Sequence, residues 1–306
     1  MFAQNVIWSG DEHLVAQNVT WSGGEQDVRP TFIMLTLSSI YLYPIKSLGG
    51  ISVTSADVQK RGLQHDRRWM LTDPSGRFLT QRVFPEMALL TVELTATGLR
   101  VRHRNQPMPP LAIPFAPSGA APEGAAPVRV VVWDDVCEAL PVGREADNWF
   151  STALGKPCRL VQMTDDSTRR VDADYVAEPF NTSFSDGYPL LIIGQASLDY
   201  LNARLPEALP MNRFRPNLVF TGGKPHEEDT WRHFRVGEAE FRGVKPCGRC
   251  VVTTIDQQTA EKGIEPLRTL ATYRKRGNKI LFGQNLVALS GGTVRVGDAV
   301  EVRDKT

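Results

Sequence analysis

The stretch Pro246–Asp256, PCGRCVVTTID, decides how the rest of this 306-residue chain is read. Cys247 and Cys250 are thiols two residues apart, and Val251, Val252, Thr253, Thr254 and Ile255 follow at once. A thioredoxin-type Cys-x-x-Cys opens a helix whose N-terminus lowers the thiol pKa. A β-branched run favours extended backbone instead, so the prediction here is a strand. A structural zinc site needs two more N or S ligands. Cys137 and Cys158 stand alone, and there is no second Cys-x-x-Cys and no His pair. The bare residues leave four readings open: a redox disulfide, half of a zinc site, inert thiols, or a single thiolate ligand to another metal.

Outward from this stretch the chain is mainly short strands. Ile40–Tyr43, Ile51–Val58, Arg68–Thr72, Leu89–Leu94 and Leu99–Arg102 carry extended or alternating apolar patterns, punctuated by Gly and Pro. Helices are predicted over Arg144–Leu154, stopping at Gly155, over Ala196–Leu205, and from Glu265 with Leu267, Leu270 and Tyr273 on one face. Arg235–Ala239 (RVGEA) and Arg295–Ala299 (RVGDA) read as hairpin corners with Gly at the position that needs positive φ. Residues 107–127 hold seven prolines and read as an extended surface loop inside a hairpin. The first 33 residues nearly repeat AQNVIWSG as AQNVTWSG and read as a disordered or non-native tail ahead of Met34. The fold class is therefore mainly β with a few helices: a β-rich domain over 34–155, then a β-barrel domain over 156–303.

Composition excludes several classes. With 35 Lys plus Arg against 34 Asp plus Glu, the net charge of +1 gives no basic field for nucleic acid or an anionic membrane. No apolar run approaches the roughly 20 residues of a membrane-spanning helix. Four cysteines are too few for a disulfide-stapled scaffold, and the N-terminus has no secretory signal pattern, so the expected compartment is the cytoplasm. GxGxxG and Walker motifs are absent, which removes the dehydrogenase and NTPase readings.

Six segments carry a resemblance. YPIKSLGG (Tyr43–Gly50), DRRWML (Asp66–Leu71), FSDGYPLLI (Phe184–Ile192), NRFRPNLV (Asn212–Val219), PCGRCVVTTID and FGQN (Phe282–Asn285) stand in the order found in MOSC-domain proteins. The branch they resemble contains the mitochondrial amidoxime-reducing component and its bacterial relatives, and the likeness runs from Leu35 to Val302. It implies a β-rich N-terminal domain packed on a MOSC β-barrel, with molybdenum cofactor (Mo-molybdopterin) held between them.

By the same resemblance Cys250 is the metal ligand and a catalytic residue, and Cys247 is a neighbour with no necessary bond to the metal. Lys46, Ser47, Arg67 and Arg215 are implied cofactor contacts, because a pterin phosphate calls for Lys and Arg and a molybdenum sphere for a soft thiolate. Asp186, Gly187, Gly248, Arg249 and Asn285 complete the implied site, with Asp186 a candidate for proton handling and Arg249 for stabilising the thiolate. Asn217 reads as a backbone cap, and His65, His226 and His233 as surface or packing residues. The implied activity is reduction of small N-hydroxylated substrates (hydroxylamines, amidoximes, hydroxamic acids) to amine-level products and water. With no Cys-x4-Cys-x2-Cys cluster motif in the chain, electrons are expected from a separate iron-sulfur, flavin or cytochrome donor. A monomer is expected, with no nucleic acid and no membrane partner. Two rivals stand beside this: a carrier that transfers the cofactor or its sulfur, and a thiol-disulfide oxidoreductase.

Overall fold

A computed structural model describes residues 34–115 and 126–305. The expected tail over 1–33 and the centre of the proline-rich stretch lie outside the described residues.

A nine-stranded sheet organises the second half of the chain. Its order is Val300–Lys305, Trp231–Val236, Ala239–Gly248, Lys279–Ala288, Leu190–Gly194, Leu218–Thr221, Thr36–Leu42 and Ile51–Val53, with Lys275–Arg276 attached to Lys279–Ala288. One neighbouring pair is parallel, Leu190–Gly194 with Leu218–Thr221, and the crossover between them carries the helix Gln195–Asn202. Backbone bonds from Leu37 N–H to Asp298 O (2.8 Å) and from Val300 N–H to Leu35 O (2.9 Å) bring the two ends of the sheet together, giving it a barrel-like closure. Alternate residues point inward, so Phe220, Trp231, Phe234 and Phe241 form one buried cluster with Ile40, Ile192 and Leu286. Truncating one of these rings to Ala costs about 3–5 kcal/mol.

The first half builds smaller sheets. Trp69–Thr72, Arg159–Gln162, Asp135–Pro141 and Val128–Val132 form one, and Leu90–Thr95, Gly98–His103 and Leu111–Pro114 another. The helix Arg144–Leu154 buries Ala146, Phe150, Ala153 and Leu154 against this core and ends at Gly155, whose φ of 64° is left-handed.

The structure departs from the sequence reading in several places. Val251–Thr254 is a single 3₁₀ turn, and the strand lies before the cysteines, over Ala239–Gly248. The threonines explain it: Thr253 Oγ1 donates to Cys250 O and Thr254 Oγ1 to Val251 O, both at 2.9 Å, closing the backbone into a turn. Leu111–Pro114 is a strand inside the stretch expected to be a loop, because its one proline stands at the last paired position and residues 111–113 keep their N–H donors. The helix after Glu265 is short, Leu267–Ala271, since Lys275–Arg276 already pairs with Lys279–Ile280. RVGEA turns a hairpin with Gly237 at φ 53°, whereas RVGDA, with Gly297 at φ 100°, joins strands that pair elsewhere: Gly292–Arg295 with Ser55–Val58, and Val300–Lys305 with Trp231–Val236. The sheets also cross residue 155. Arg159–Gln162 completes a first-half sheet, and Thr36–Leu42 with Ile51–Val53 joins the large one. That interleaving makes one side of a cleft from each half.

Candidate functional site

Tyr43–Gly50 leaves the strand Thr36–Leu42 and runs across to the first-half sheet, where Lys46 N–H donates to Trp69 O at 2.8 Å. Lys46 is 4% exposed, and its Nζ donates to Phe184 O at 2.7 Å and to Asp186 Oδ1 at 2.6 Å. Arg67 Nη1 donates to Asp66 Oδ2 (2.5 Å) and Asn217 Oδ1 (2.9 Å), and its Nη2 to Arg215 O (3.3 Å). Arg215 follows the turn Met211–Phe214 and donates to Leu48 O at 2.8 Å. The guanidinium carbons of Arg67 and Arg215 lie 4.3 Å and 4.2 Å from the centroid of the buried Tyr43 ring, so one aromatic ring supports both cations.

Lys46, Arg67 and Arg215 line one cleft together with Ser47, Asp186, Gly187, Arg249, Cys250 and Asn285. Of the predicted site residues, Gly248 alone is outside this lining; a Cβ there would face the aliphatic part of Lys279. Ser47, Arg67 and Arg215 all hold φ between 50° and 66°, an uncommon conformation for residues with side chains. Such outliers persist where surrounding contacts over-determine them and are a recognised mark of binding sites.

Electrostatics favour an anion. Lys46, Arg67, Arg215 and Arg249 face carboxylates Asp66 and Asp186 only, leaving an excess of positive charge around the cleft. Burial lowers the pKa of Lys46, opposed by Asp186, and lowers that of Arg215 to about 10. Desolvation pushes the Asp186 carboxyl up, but the Lys46 charge and hydrogen bond, with Arg82 and Trp133, hold it well below the usual carboxylate range. Asp186 is the ion-pair partner of Lys46, and its side chain is 61% exposed. Arg249 turns to the other thiol: Nη1 donates to Cys247 Sγ at 3.2 Å and Nη2 to Phe214 O at 2.6 Å. Arg249 and Cys250 line the same cleft, and the hydrogen bond of the guanidinium goes to Cys247.

Sequence reasoning missed the residues that hold the walls. Asn217 does bond backbone, through Tyr41 O and Leu191 N–H, but it also fixes Arg67 and lines the cleft. Arg169, 5% exposed, donates to the carbonyls of Ser183, Ser185 and Asp186 and to Asp135, fastening the Asp186 wall. Thr80, Tyr188, Phe214 and Val252 also belong to the lining. His65 stacks on Phe115, His226 packs beside Tyr200, and His233 pairs with Asp304. Cys137 and Cys158 are buried in apolar clusters. Among the described residues no group of three or more His, Cys, Asp or Glu side chains is placed to hold a metal, so the zinc reading has no ligand set. No described helix is long and apolar enough to cross a membrane.

Residues 34–157 match the family model of the MOSC N-terminal beta barrel domain, and residues 179–301 that of the MOSC domain. Mitochondrial amidoxime-reducing component 1 of Mus musculus is 32% identical over 285 residues, covering 87% of this chain and 81% of that protein. The Homo sapiens protein of the same name is 31% identical over 282 residues, covering 87% and 82%. The molybdenum cofactor sulfurase of Oryza sativa subsp. japonica is 33% identical over 268 residues, covering 81% of this chain but 32% of the sulfurase. The chain therefore spans about a third of the length of that sulfurase and about four fifths of the amidoxime-reducing components. With both domain models matched in order, over more than half its length, the chain belongs to the MOSC-domain family.

Proposed function

We propose that this protein is a molybdenum-cofactor-dependent reductase of N-hydroxylated compounds, fed by a separate iron-sulfur, flavin or cytochrome donor protein and working as a detoxifying enzyme in the cytoplasm. The observation that carries the reading is the convergence of four cations and the Cys250 thiol on one cleft built from both halves of the chain. The reaction is R–NH–OH + 2e⁻ + 2H⁺ → R–NH₂ + H₂O.

The donor set suits a phosphate-bearing dithiolate. Lys46, Arg67 and Arg215 provide charge-assisted donors for a phosphate. Cys250 offers a soft sulfur to a metal. Arg249 Nε and Ser185 Oγ are buried with no hydrogen-bond partner among the described residues, leaving donors for a ligand. When bound, the cofactor supplies a redox-active metal for two-electron reduction. The chain's own groups bind and orient: Asp186 holds the Lys46 ammonium in place, Asn217 and Asp66 fix the Arg67 fork, and Leu191, Phe214 and Val252 exclude water from part of the cleft.

A second reading, a carrier of the cofactor or its sulfur, is favoured by one observation. Cys247 shares the cleft with Cys250 and has a guanidinium 3.2 Å from its sulfur, so a second sulfur stands in the cleft with a cationic donor beside it. One experiment separates the two. Protein purified from a cofactor-competent host is assayed for molybdenum and for benzamidoxime reduction with reduced methyl viologen as donor. The reductase reading expects near-stoichiometric molybdenum and turnover. Molybdenum without turnover, with persulfide on a cysteine, supports the carrier. Protein with neither molybdenum nor persulfide refutes both.

A further inference from the structure

Gln81 and Gln257 are 176 residues apart in sequence, buried at 0% and 8% exposure, and face each other through their amides. Gln81 Nε2 donates to Gln257 Oε1 at 3.3 Å, and Gln257 Nε2 returns the bond to Gln81 Oε1 at 3.1 Å. Each amide has one N–H left. That of Gln81 goes to Ser47 O at 2.7 Å, and that of Gln257 to Ile255 O at 3.1 Å. All four donors of the two side chains are thereby used, two inside the pair and one on each wall of the cleft.

Placement gives the pair its meaning. Ser47 follows Lys46 and holds the left-handed φ of 66°, a conformation that needs outside support. Ile255 ends the turn that begins at Cys250. Gln81 itself lies between Thr80, which lines the cleft, and Arg82, which pairs with Asp186. We infer that Gln81 and Gln257 are positioning residues: their reciprocal amide pair clamps the Ser47 wall to the Cys250 turn and so sets the distance between the cation that would hold the cofactor phosphate and the sulfur that would hold its metal. The clamp is a property of the cofactor-free chain. Its consequence for metal retention rests on the proposed function above.

The test uses the full chain with Gln81→Leu, Gln257→Leu, the double variant, and Val101→Ala as a control that loosens the apolar cluster holding Ile45 and Leu48 without removing an amide. Removing one amide leaves the other with a buried oxygen and one N–H lacking partners, while the double leucine variant replaces the pair by apolar volume and restores much of the lost stability. A purely structural pair is therefore rescued in the double variant, and a clamp is not, because Ser47 O and Ile255 O have still lost their donors.

The first readout is amide hydrogen exchange of the cofactor-free protein. In Gln81→Leu, residues 250–257 exchange at least about tenfold faster than in wild type, in Gln257→Leu residues 46–48 do so, and both segments remain fast in the double variant. The second is the molybdenum release rate of the loaded protein, expected about tenfold faster in all three variants, the scale seen for groups that orient metal ligands. Exchange in both segments equal to that of Val101→Ala overturns the clamp, whatever the cofactor result. If wild type carries no molybdenum while the exchange effects stand, the cofactor reading fails and the clamp survives.

Discussion

Glu228 supplies a prediction whose size follows from the structure. It lies in the turn Glu227–Thr230, is 0% exposed, and points at the start of the helix Gln195–Asn202. Both its oxygens accept from Ser197 Oγ at 2.9 Å, and Oε1 accepts from Gly194 N–H at 3.2 Å. Two effects oppose each other: burial penalises the carboxylate, while those hydrogen bonds stabilise it. Burial wins and pushes the carboxyl from 4.5 up to about 7. Because the folded state holds this proton more tightly than the unfolded chain, the stabilising contribution is complete below about pH 4.5 and is lost as the pH rises through 7. At 1.36 kcal/mol for each pH unit, the loss reaches about 3 kcal/mol above pH 8.

Glu228→Gln removes the titration but keeps an acceptor for Gly194 N–H, and its amide can donate to Ser197 Oγ. The expected outcome is a variant more stable than wild type at pH 8–9, by up to about 3 kcal/mol less the strength of the charge-assisted bonds it gives up, and no more stable at pH 5. Reversible urea unfolding at a series of pH values and fixed ionic strength measures it, since other titrating groups are common to both proteins and cancel in the difference. Parallel profiles from pH 5 to 9 refute the reasoning, because they require Glu228 to be ionised throughout.

Three further outcomes test the site. Cys250→Ser should abolish molybdenum retention and Cys247→Ser should largely spare it, read as the metal-to-protein ratio of each purified variant; equal losses favour a dithiol role. Arg67→Lys exchanges a fork that reaches Asp66, Asn217 and Arg215 O for a single ammonium, costing about 2 kcal/mol of charged hydrogen bonding, so retention of molybdenum should fall; unchanged retention places the phosphate elsewhere. Asp186, held below its ordinary range by Lys46 and Arg82 despite desolvation, contributes stability that is present above about pH 4 and fades as the pH falls through its folded value. Asp186→Asn should therefore lower stability at pH 7 and flatten the acid limb of a urea-midpoint profile between pH 5 and 2.5, and an unaltered limb excludes the ion pair.

What could be read from the sequence divides along a physical line. The family resemblance pointed to Lys46, Arg67, Arg215 and Cys250 because motifs are displayed in sequence, and the structure brings the four to one cleft. The groups that hold them were not legible. Asn217, Arg169, Gln81 and Gln257 act through hydrogen bonds to residues 14 to 176 positions away, and an amide or guanidinium carries no sign of which distant carbonyl it will meet. Helix Arg144–Leu154 was legible for the opposite reason: its signals, an apolar face and a terminal Gly, are local.

The misreading after Cys250 shows where local signals stop. β-Branched preference reflects packing on a pleated surface, and Val251 is 51% exposed with no such surface to pack on, while Thr253 and Thr254 bond back to their own turn. A predicted strand at this point was what counted against the thiol-disulfide rival, and that reason is gone. What replaces it is weaker in kind but more specific. One four-residue turn sums few peptide dipoles, so it gives Cys250 little of the field a long helix would, and the cation beside the pair is hydrogen-bonded to the sulfur of Cys247. A dithiol enzyme needs both sulfurs, whereas a metal ligand at Cys250 leaves Cys247 dispensable. The two chemistries thus differ in whether Cys247 is essential, which is why the paired serine variants discriminate where secondary structure does not.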